Sequence, residues 1–432
     1  MSFKRAPQSC IKLLRAFWIF SCLSALSQNI ASPSLSDQVY TAFFNKCPGA
    51  RYMSDATGRM QQNLPSQDII EGAADTPNPL PPYLGVTRIG VWGDSHTASG
   101  DFVMSAIQQW GFTTNSVRPS MIQPAMMLAG VKTQLKKSCI SAGWKLQYAH
   151  RISGSVEKLN KTMILLTSEN PNEFLWFDFR TPNDDVRLKW LNIHFSKNDV
   201  DRSLIVAISV DGGTEQFFNL TSSKSPFLQV MAKEPFATVR IRLVLGQIGI
   251  QGLAPVYADA PQTLLDIFST PGAMAKGWND VNASIIGPLN YEIVIFQYGT
   301  NEAMDLAYND ATYTKYFRQS LTAFRKMNPS ARCIVIGPPA RGSFSNGVMR
   351  PLAKIHHSIS QIQAKIAREM GCAFWNWQAM LMKFGDVNQL MMSTPPLIKQ
   401  DQVHLTKQGY ELSGQQFGKA IHWKSDRANV NP

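Results

Sequence analysis

Three short stretches, far apart in the chain, hold the residue types that acyl transfer needs. Gly93-Asp-Ser-His96 offers a hydroxyl, Tyr298-Gly-Thr-Asn-Glu302 a side-chain amide, and Asp401-Gln-Val-His404 a carboxylate and an imidazole. Ester hydrolysis through a serine requires a nucleophile, a base, a group that orients the base, and N–H donors for the oxyanion. Ser95 fits the first role. A carboxylate three residues before a histidine can bend back in one turn onto the Nδ1–H, as Asp401 can onto His404. That fixes the tautomer and leaves Nε2 free to take the serine proton. The amide of Asn301 and the backbone N–H of Ser95, at the opening turn of a helix, are candidate oxyanion donors. Gly-Asp-Ser alone is an ordinary turn sequence, so the elements around these residues decide how much they mean.

Those elements read as a parallel α/β sheet. Thr87–Trp92 is a strand that runs into Gly93, and Phe102, Val103, Ile107 and Trp110 are spaced for one helix face. A strand, tight turn and helix lift Ser95 over the carboxyl edge of the sheet, where ligands bind in open α/β folds. Glu292–Phe296 and Cys333–Ile336 are continuous apolar runs of the kind buried on both faces. Helices are expected over Tyr313–Met327, over Pro351–Met370 closed by Gly371, and over Thr406–Ile421, with another strand at Cys372–Trp377. This alternation argues right-handed crossovers with helices on both faces. His96 reads as a positioning residue beside the nucleophile, and His356 and His357 as surface or packing positions of a helix.

Residues 146–245 have another texture. Met163–Leu166, Phe174–Phe179, Leu204–Val210 and Ala237–Val244 are short β-rich runs separated by turns such as Asp211-Gly-Gly. They predict an inserted all-β sandwich. Trp176 and Trp190 within it are core positions or sugar-stacking ones. The expected organisation is a leader at 1–31, a hydrolase domain at 32–145 and 246–432, and the insertion between.

The bulk composition agrees. The chain has 432 residues, 44% hydrophobic and 17% charged, enough for two or three folding units and too apolar for a disordered chain. Residues 1–31 carry four cations (Lys4, Arg5, Lys12, Arg15) and no acid, ahead of an apolar run Ala16–Leu26 too short to span a bilayer. With small residues following, it reads as a secretory signal, with an uncleaved N-terminal anchor as the alternative. It implies export. The formal net charge is +12, and outside that segment it is +8. A basic surface suits polyanions, either a cell-wall polymer or lipid headgroups, the latter implying peripheral membrane association. No nucleic-acid-binding pattern accompanies it. Cys47, Cys139, Cys333 and Cys372 lie beyond the leader and allow two disulfides of unspecified pairing, or buried thiols. No CxxC or His-rich cluster calls for a metal, and nothing calls for a cofactor.

Gly93-Asp-Ser-His96, Gly299-Thr-Asn301 and Asp401-Gln-Val-His404 resemble, in order, three sequence blocks of the SGNH (GDSL-like) hydrolases, a family with a flavodoxin-like parallel sheet. The resemblance implies a catalytic triad of Ser95, Asp401 and His404. It also implies an oxyanion hole from Ser95, Asn301 and a glycine N–H. Leu245-Gly-Gln-Ile-Gly-Ile-Gln-Gly252 matches the glycine block, with Gly252 the donor and Gly249 its competitor. Within the family, Gly337-Pro-Pro339, Phe374-Trp-Asn-Trp377 and the insertion, resembling a carbohydrate-binding module, are similar to the peptidoglycan O-acetylesterases of Gram-negative bacteria. Ala340 stands where that group tends to have an acid, and Leu381–Phe384 where it has a Gly-Gly pair. The implied substrate is O-acetylated peptidoglycan, at the muramoyl 6-O-acetyl group, and the implied location lies across the inner membrane, in the periplasm or at the outer membrane. The rivals are an O-acetyltransferase with the same triad and an inactive glycan-binding protein.

Overall fold

The computed structural model describes residues 69–71, 86–113, 116–132, 134–148, 159–180, 185–196, 203–221, 223, 225–281, 289–305, 307–345, 348–350 and 353–421. The expected leader and Cys47 lie outside these.

Six strands form a wholly parallel sheet: β1 (Thr87–Gly93), β2 (Val117–Arg118), β3 (Thr263–Ser269), β4 (Ile293–Gln297), β5 (Arg332–Ile336) and β6 (Ala373–Trp375). Their order is β6-β5-β4-β1-β3-β2. The strands read from continuous apolar runs occupy its centre, as burial on both faces requires. Among the described residues, seven α-helices accompany the sheet: α1 (Ser95–Ala98), α2 (Asp101–Gln109), α3 (Asp310–Met327), α4 (Ala353–Glu369), α5 (Trp377–Leu381), α6 (Val387–Met392) and α7 (Lys407–Ala420). Helix α3 starts where Asn309 accepts a hydrogen bond from the Thr312 N–H, and it buries Tyr313, Phe317, Leu321 and Phe324. That stripe and α4 cover one face, with Trp92, Phe268 and Phe296. Helices α2 and α7 cover the other, where Phe102, Ile107 and Phe417 meet Val91 and Ile295. The stretch read as a strand to Trp377 ends at Trp375. Asn376 caps α5 by accepting from the Ala379 N–H, so Trp377 opens a helix.

Because the strands are parallel, their C-terminal ends share one edge. The turns after β1, β3, β4 and β5 therefore emerge together.

The all-β region consists of two sheets. One holds Ile69–Glu71, Gln216–Asn219, Ile205–Val210, Thr238–Leu245, Phe174–Asp178 and Lys137–Ile140. The other holds Phe227–Phe236, Leu188–Ser196, Ile248–Tyr257, Ile164–Ser168 and Lys145–Tyr148. All pairings are antiparallel except Ile69–Glu71 with Gln216–Asn219. These strands reach from Lys137 to Tyr257, beyond 146–245 on both sides, and one precedes β1. The second sheet leans on the parallel sheet. Leu165 and Ala254 share a core with Trp92, and the Trp92 indole donates to the Lys161 carbonyl at 2.7 Å. Trp176 and Trp190 are half-buried.

Cys333, at the start of β5, and Cys372, just before β6, form a disulfide, which decides between the bonded and free-thiol readings of Cys333. Cys139 is also disulfide-bonded. Among the described residues no helix is long and apolar enough to cross a membrane.

Candidate active site

The chain turns sharply from β1 into α1. Asp94 caps α1 by accepting from the His96 N–H at 2.9 Å, and its own N–H donates to Gln297 at 3.2 Å. There is no room for a side chain at Gly93, where a Cβ would lie 2.3 Å from Thr97 Oγ1 and 2.7 Å from Gln297 Oε1. Ser95 is thus the first residue of α1, half-buried at the carboxyl edge.

The loop before α7 brings the other two residues to it. His404 Nε2 lies 3.0 Å from Ser95 Oγ, and His404 Nδ1 lies 2.7 Å from Asp401 Oδ2. The other Asp401 oxygen accepts the N–H groups of Val403 and His404, both at 2.9 Å. The expected back-bend is therefore present. Burial alone would raise the Asp401 pKa; the hydrogen bonds from the His404 ring and the two backbone N–H groups outweigh it and hold the carboxyl below its usual range. An ionised Asp401 fixes a proton on Nδ1 and leaves Nε2 as acceptor.

Asn301 follows β4 and is half-buried, with Nδ2 donating to the Ala273 carbonyl at 2.8 Å. It precedes a 3₁₀ turn, Glu302–Met304, without capping it through its side chain. Buried Glu302 accepts from Gly299 N–H at 3.0 Å and Ala275 N–H at 2.8 Å, tying the turn after β4 to the turn after β3. Burial pushes this carboxyl up to about 7.

Gly252 is not placed in this cleft. It sits mid-strand in Ile248–Tyr257, opposite His194, against Met121 and Thr162. A glycine inside an antiparallel ladder of the β-region does not present its N–H at the edge of the parallel sheet. Gly249 lies in the same strand, opposite Ser196 and Thr167. The turn at the right edge is Thr270–Ala273 after β3, whose Thr270 N–H donates to the Gly93 carbonyl at 3.0 Å. It contains Gly272 at φ +80°, a left-handed position that suits glycine. The signal that could have found it is Thr-Pro-Gly after Thr263–Ser269, a run that Asp266 interrupts.

His96 is buried, with Nδ1 3.2 Å from the Tyr410 hydroxyl. Burial and nearby positive groups hold its pKa well below the usual value, so it stays neutral. His356, read as a surface or packing position, is fully buried beneath the site, and burial lowers it to about 4. Among the described residues no group of three or more His, Cys, Asp or Glu is placed to hold a metal.

Asp94 is fully buried, and burial pushes its carboxyl up to about 6 from 3.8. A carboxyl raised in the folded state favours folding at low pH and loses that contribution as pH rises from about 4 to about 6. Asp94→Asn keeps the cap acceptor and does not ionise. Its stability relative to wild type should rise across that window, by at most about 3 kcal/mol. Parallel melting-temperature curves for the two proteins between pH 4 and 7 would contradict this.

Residues 250–412 match the GDSL-like Lipase/Acylhydrolase family. No curated protein matches the chain. A solved structure of a peptidoglycan O-acetylesterase superposes with a TM-score of 0.57, at 18% identity, covering 78% of this chain and 90% of that one. This is a likeness of fold. A family two carbohydrate esterase from Cellvibrio japonicus (9% identity, 66% of this chain, 97% of that one, TM-score 0.28) overlaps too loosely to add to it. The matched residues include Asn301, Asp401 and His404, and the fold and hydrogen-bonded line bring Ser95 to them. Residues 250–412 are thus similar to the GDSL-like lipase/acylhydrolase family, and the chain is a carboxylic ester hydrolase.

Proposed function

We propose that this hydrolase removes O-acetyl groups from a cell-wall glycan, with peptidoglycan acetylated at the muramoyl 6-hydroxyl as substrate and Ser95 as nucleophile. The observation that carries the chemistry is the unbroken line Ser95 Oγ–His404 Nε2, 3.0 Å, and His404 Nδ1–Asp401 Oδ2, 2.7 Å. Ser95 Oγ attacks the acetyl carbonyl as His404 takes its proton, and Asp401 stabilises the resulting imidazolium. The oxyanion is met by the Ser95 N–H and Asn301 Nδ2, with the Gly272 N–H in the place first assigned to Gly252. Collapse expels the sugar hydroxyl with the proton from His404. Water, deprotonated by the same imidazole, then releases acetate.

Several features support the glycan. The solved peptidoglycan O-acetylesterase shares the fold across most of both chains. The Asp401 and His404 side chains are 46% and 37% exposed, an open site that a polymer can reach. That openness also favours water as acceptor over a sugar hydroxyl, and hence hydrolysis over acetyl transfer. The Cys333–Cys372 disulfide suits an oxidising compartment such as the periplasm. The net charge of +12 suits anionic cell-wall material or lipid headgroups. An acetyl mass balance with O-acetylated peptidoglycan and a free glycan acceptor tests the reading. Free acetate should account for the ester lost; acetyl groups recovered on the acceptor would make the protein a transferase.

Asn301→Ala should lower kcat by about 10²–10³ with KM little changed, as for a donor that acts chiefly in the transition state. An effect confined to KM would make Asn301 a ground-state contact. The all-β region should hold the polymer through surfaces that a small ester never touches. Trp190→Ala and Trp176→Ala should then lower activity on insoluble peptidoglycan by about tenfold, roughly 1.4 kcal/mol, and spare p-nitrophenyl acetate. Equal loss on both substrates, or on neither, would sink the glycan-holding role.

A further inference from the structure

The loop after β5, Gly337–Gly342, has no part in the mechanism above, yet it contacts the loops that do. Arg341 is 9% exposed, and its Nη1 donates to the Thr300 carbonyl at 3.0 Å. That carbonyl belongs to the peptide unit leading into Asn301. Because the unit is planar, fixing its oxygen fixes the plane from which Asn301 departs. The next residue, Gly342, donates its N–H to the Gln402 carbonyl at 2.9 Å. Gln402 lies between Asp401 and His404 at φ +57°, a left-handed position that a glutamine holds only when its surroundings impose it. From below, His356 Nδ1 approaches the Pro339 carbonyl at 2.8 Å and steadies the loop on α4.

The charges agree with this placement. Burial lowers the Arg341 pKa, and the carboxylates that oppose that shift are Asp94, beside the nucleophile, and Asp401, behind the base. His96 and His356, the other titratable groups that sense this guanidinium, are both buried, with pKa values below the usual histidine range. Arg341 Nε has no partner among the described residues. A buried cation with an incompletely used fork is costly to keep, and among the described residues its hydrogen bond goes to the site, at the Thr300 carbonyl.

We propose, on the reading that Ser95 and His404 perform the hydrolysis, that Arg341 is a positioning residue. Its guanidinium pins Thr300 and so Asn301, while the adjoining Gly342 N–H pins Gln402 and so the Asp401–His404 turn. One loop thereby sets the oxyanion donor and the base in register. A misplacement on the order of 1 Å costs about 10²-fold in rate.

The test uses the full-length protein with p-nitrophenyl acetate. Wild-type turnover that Ser95→Ala abolishes is established first and bears on the underlying reading alone. Arg341→Met and Arg341→Lys are then expected to lose about 10²-fold in kcat, with KM within about twofold. Lysine does not restore the rate, because a single ammonium does not reproduce the planar fork. Added guanidinium is expected to recover part of the loss in Arg341→Ala and none in Ser95→Ala. Three results would overturn the proposal: wild-type kcat in Arg341→Met, a loss confined to KM, or a folded Arg341→Ala that guanidinium does not rescue. Should Arg341→Ala not fold, Arg341→Lys decides, and wild-type kcat in that variant counts against the proposal.

Discussion

Ser95→Ala is expected to lose about 10⁴- to 10⁶-fold in kcat for ester hydrolysis, the scale on which triads fail when the nucleophile is removed. Three facts set that scale. Ser95 Oγ is the only hydroxyl hydrogen-bonded to His404 Nε2 among the described residues. The turn that holds it is built from Gly93, Asp94 and Thr97, none of which changes in the variant. The Ser95 backbone N–H also remains, so the residual rate reports what the oxyanion donors contribute alone. The fold should be retained, because the lost hydroxyl is half-buried and has His404 as its partner. Its stability change should stay within about 0.5 kcal/mol. Activity within tenfold of wild type, in a protein that melts normally, would remove Ser95 from the mechanism.

His404→Ala should fall nearly as far, and Asp401→Asn by about 10⁴ at most. The smaller figure for Asp401 follows from its exposure: water can partly replace a carboxylate that is 46% exposed. Asp401 is held below the usual carboxylate range. The stability it contributes is therefore present above its unfolded value and is lost only as the pH falls through the folded one. It stays ionised above that range and keeps its hydrogen bond to the His404 ring. Asp94, raised to about 6, ionises between pH 4 and 7. A rate change that follows this ionisation should disappear in Asp94→Asn, and an unchanged pH profile in that variant would show that Asp94 has no part in it.

What the sequence made legible follows from how local each signal is. Asp401 and His404 are three residues apart, so their pairing needs only one turn. Ser95 follows the short apolar run Ile89–Trp92 and Asn301 follows Ile293–Phe296, each of which marks a strand and its carboxyl end. The glycine donor is hard to place from sequence because β3 does not look like a buried strand. Asp266 interrupts it, although that carboxylate is fully buried and accepts from Ser120 N–H at 2.6 Å, Met121 N–H at 2.9 Å and Tyr291 Oη at 2.6 Å. A charge satisfied by partners about 25 and 146 positions away leaves no trace in a short window. With β3 hidden, the glycine-rich strand Ile248–Tyr257 imitates the glycine block, and the all-β region extends past residue 245 to Tyr257. The pairing of Cys333 with Cys372 was equally out of reach. It depends on β5 and β6 being neighbours, which is a property of the strand order.

The central claim is that this chain releases acetate from an acetylated glycan through Ser95. Its most direct test is acetate release from purified O-acetylated peptidoglycan by wild type and Ser95→Ala at equal concentrations. The account predicts steady release by wild type and none above background by Ser95→Ala. Equal release by the two proteins would contradict the nucleophile, and hydrolysis of p-nitrophenyl acetate without release from the glycan would contradict the substrate.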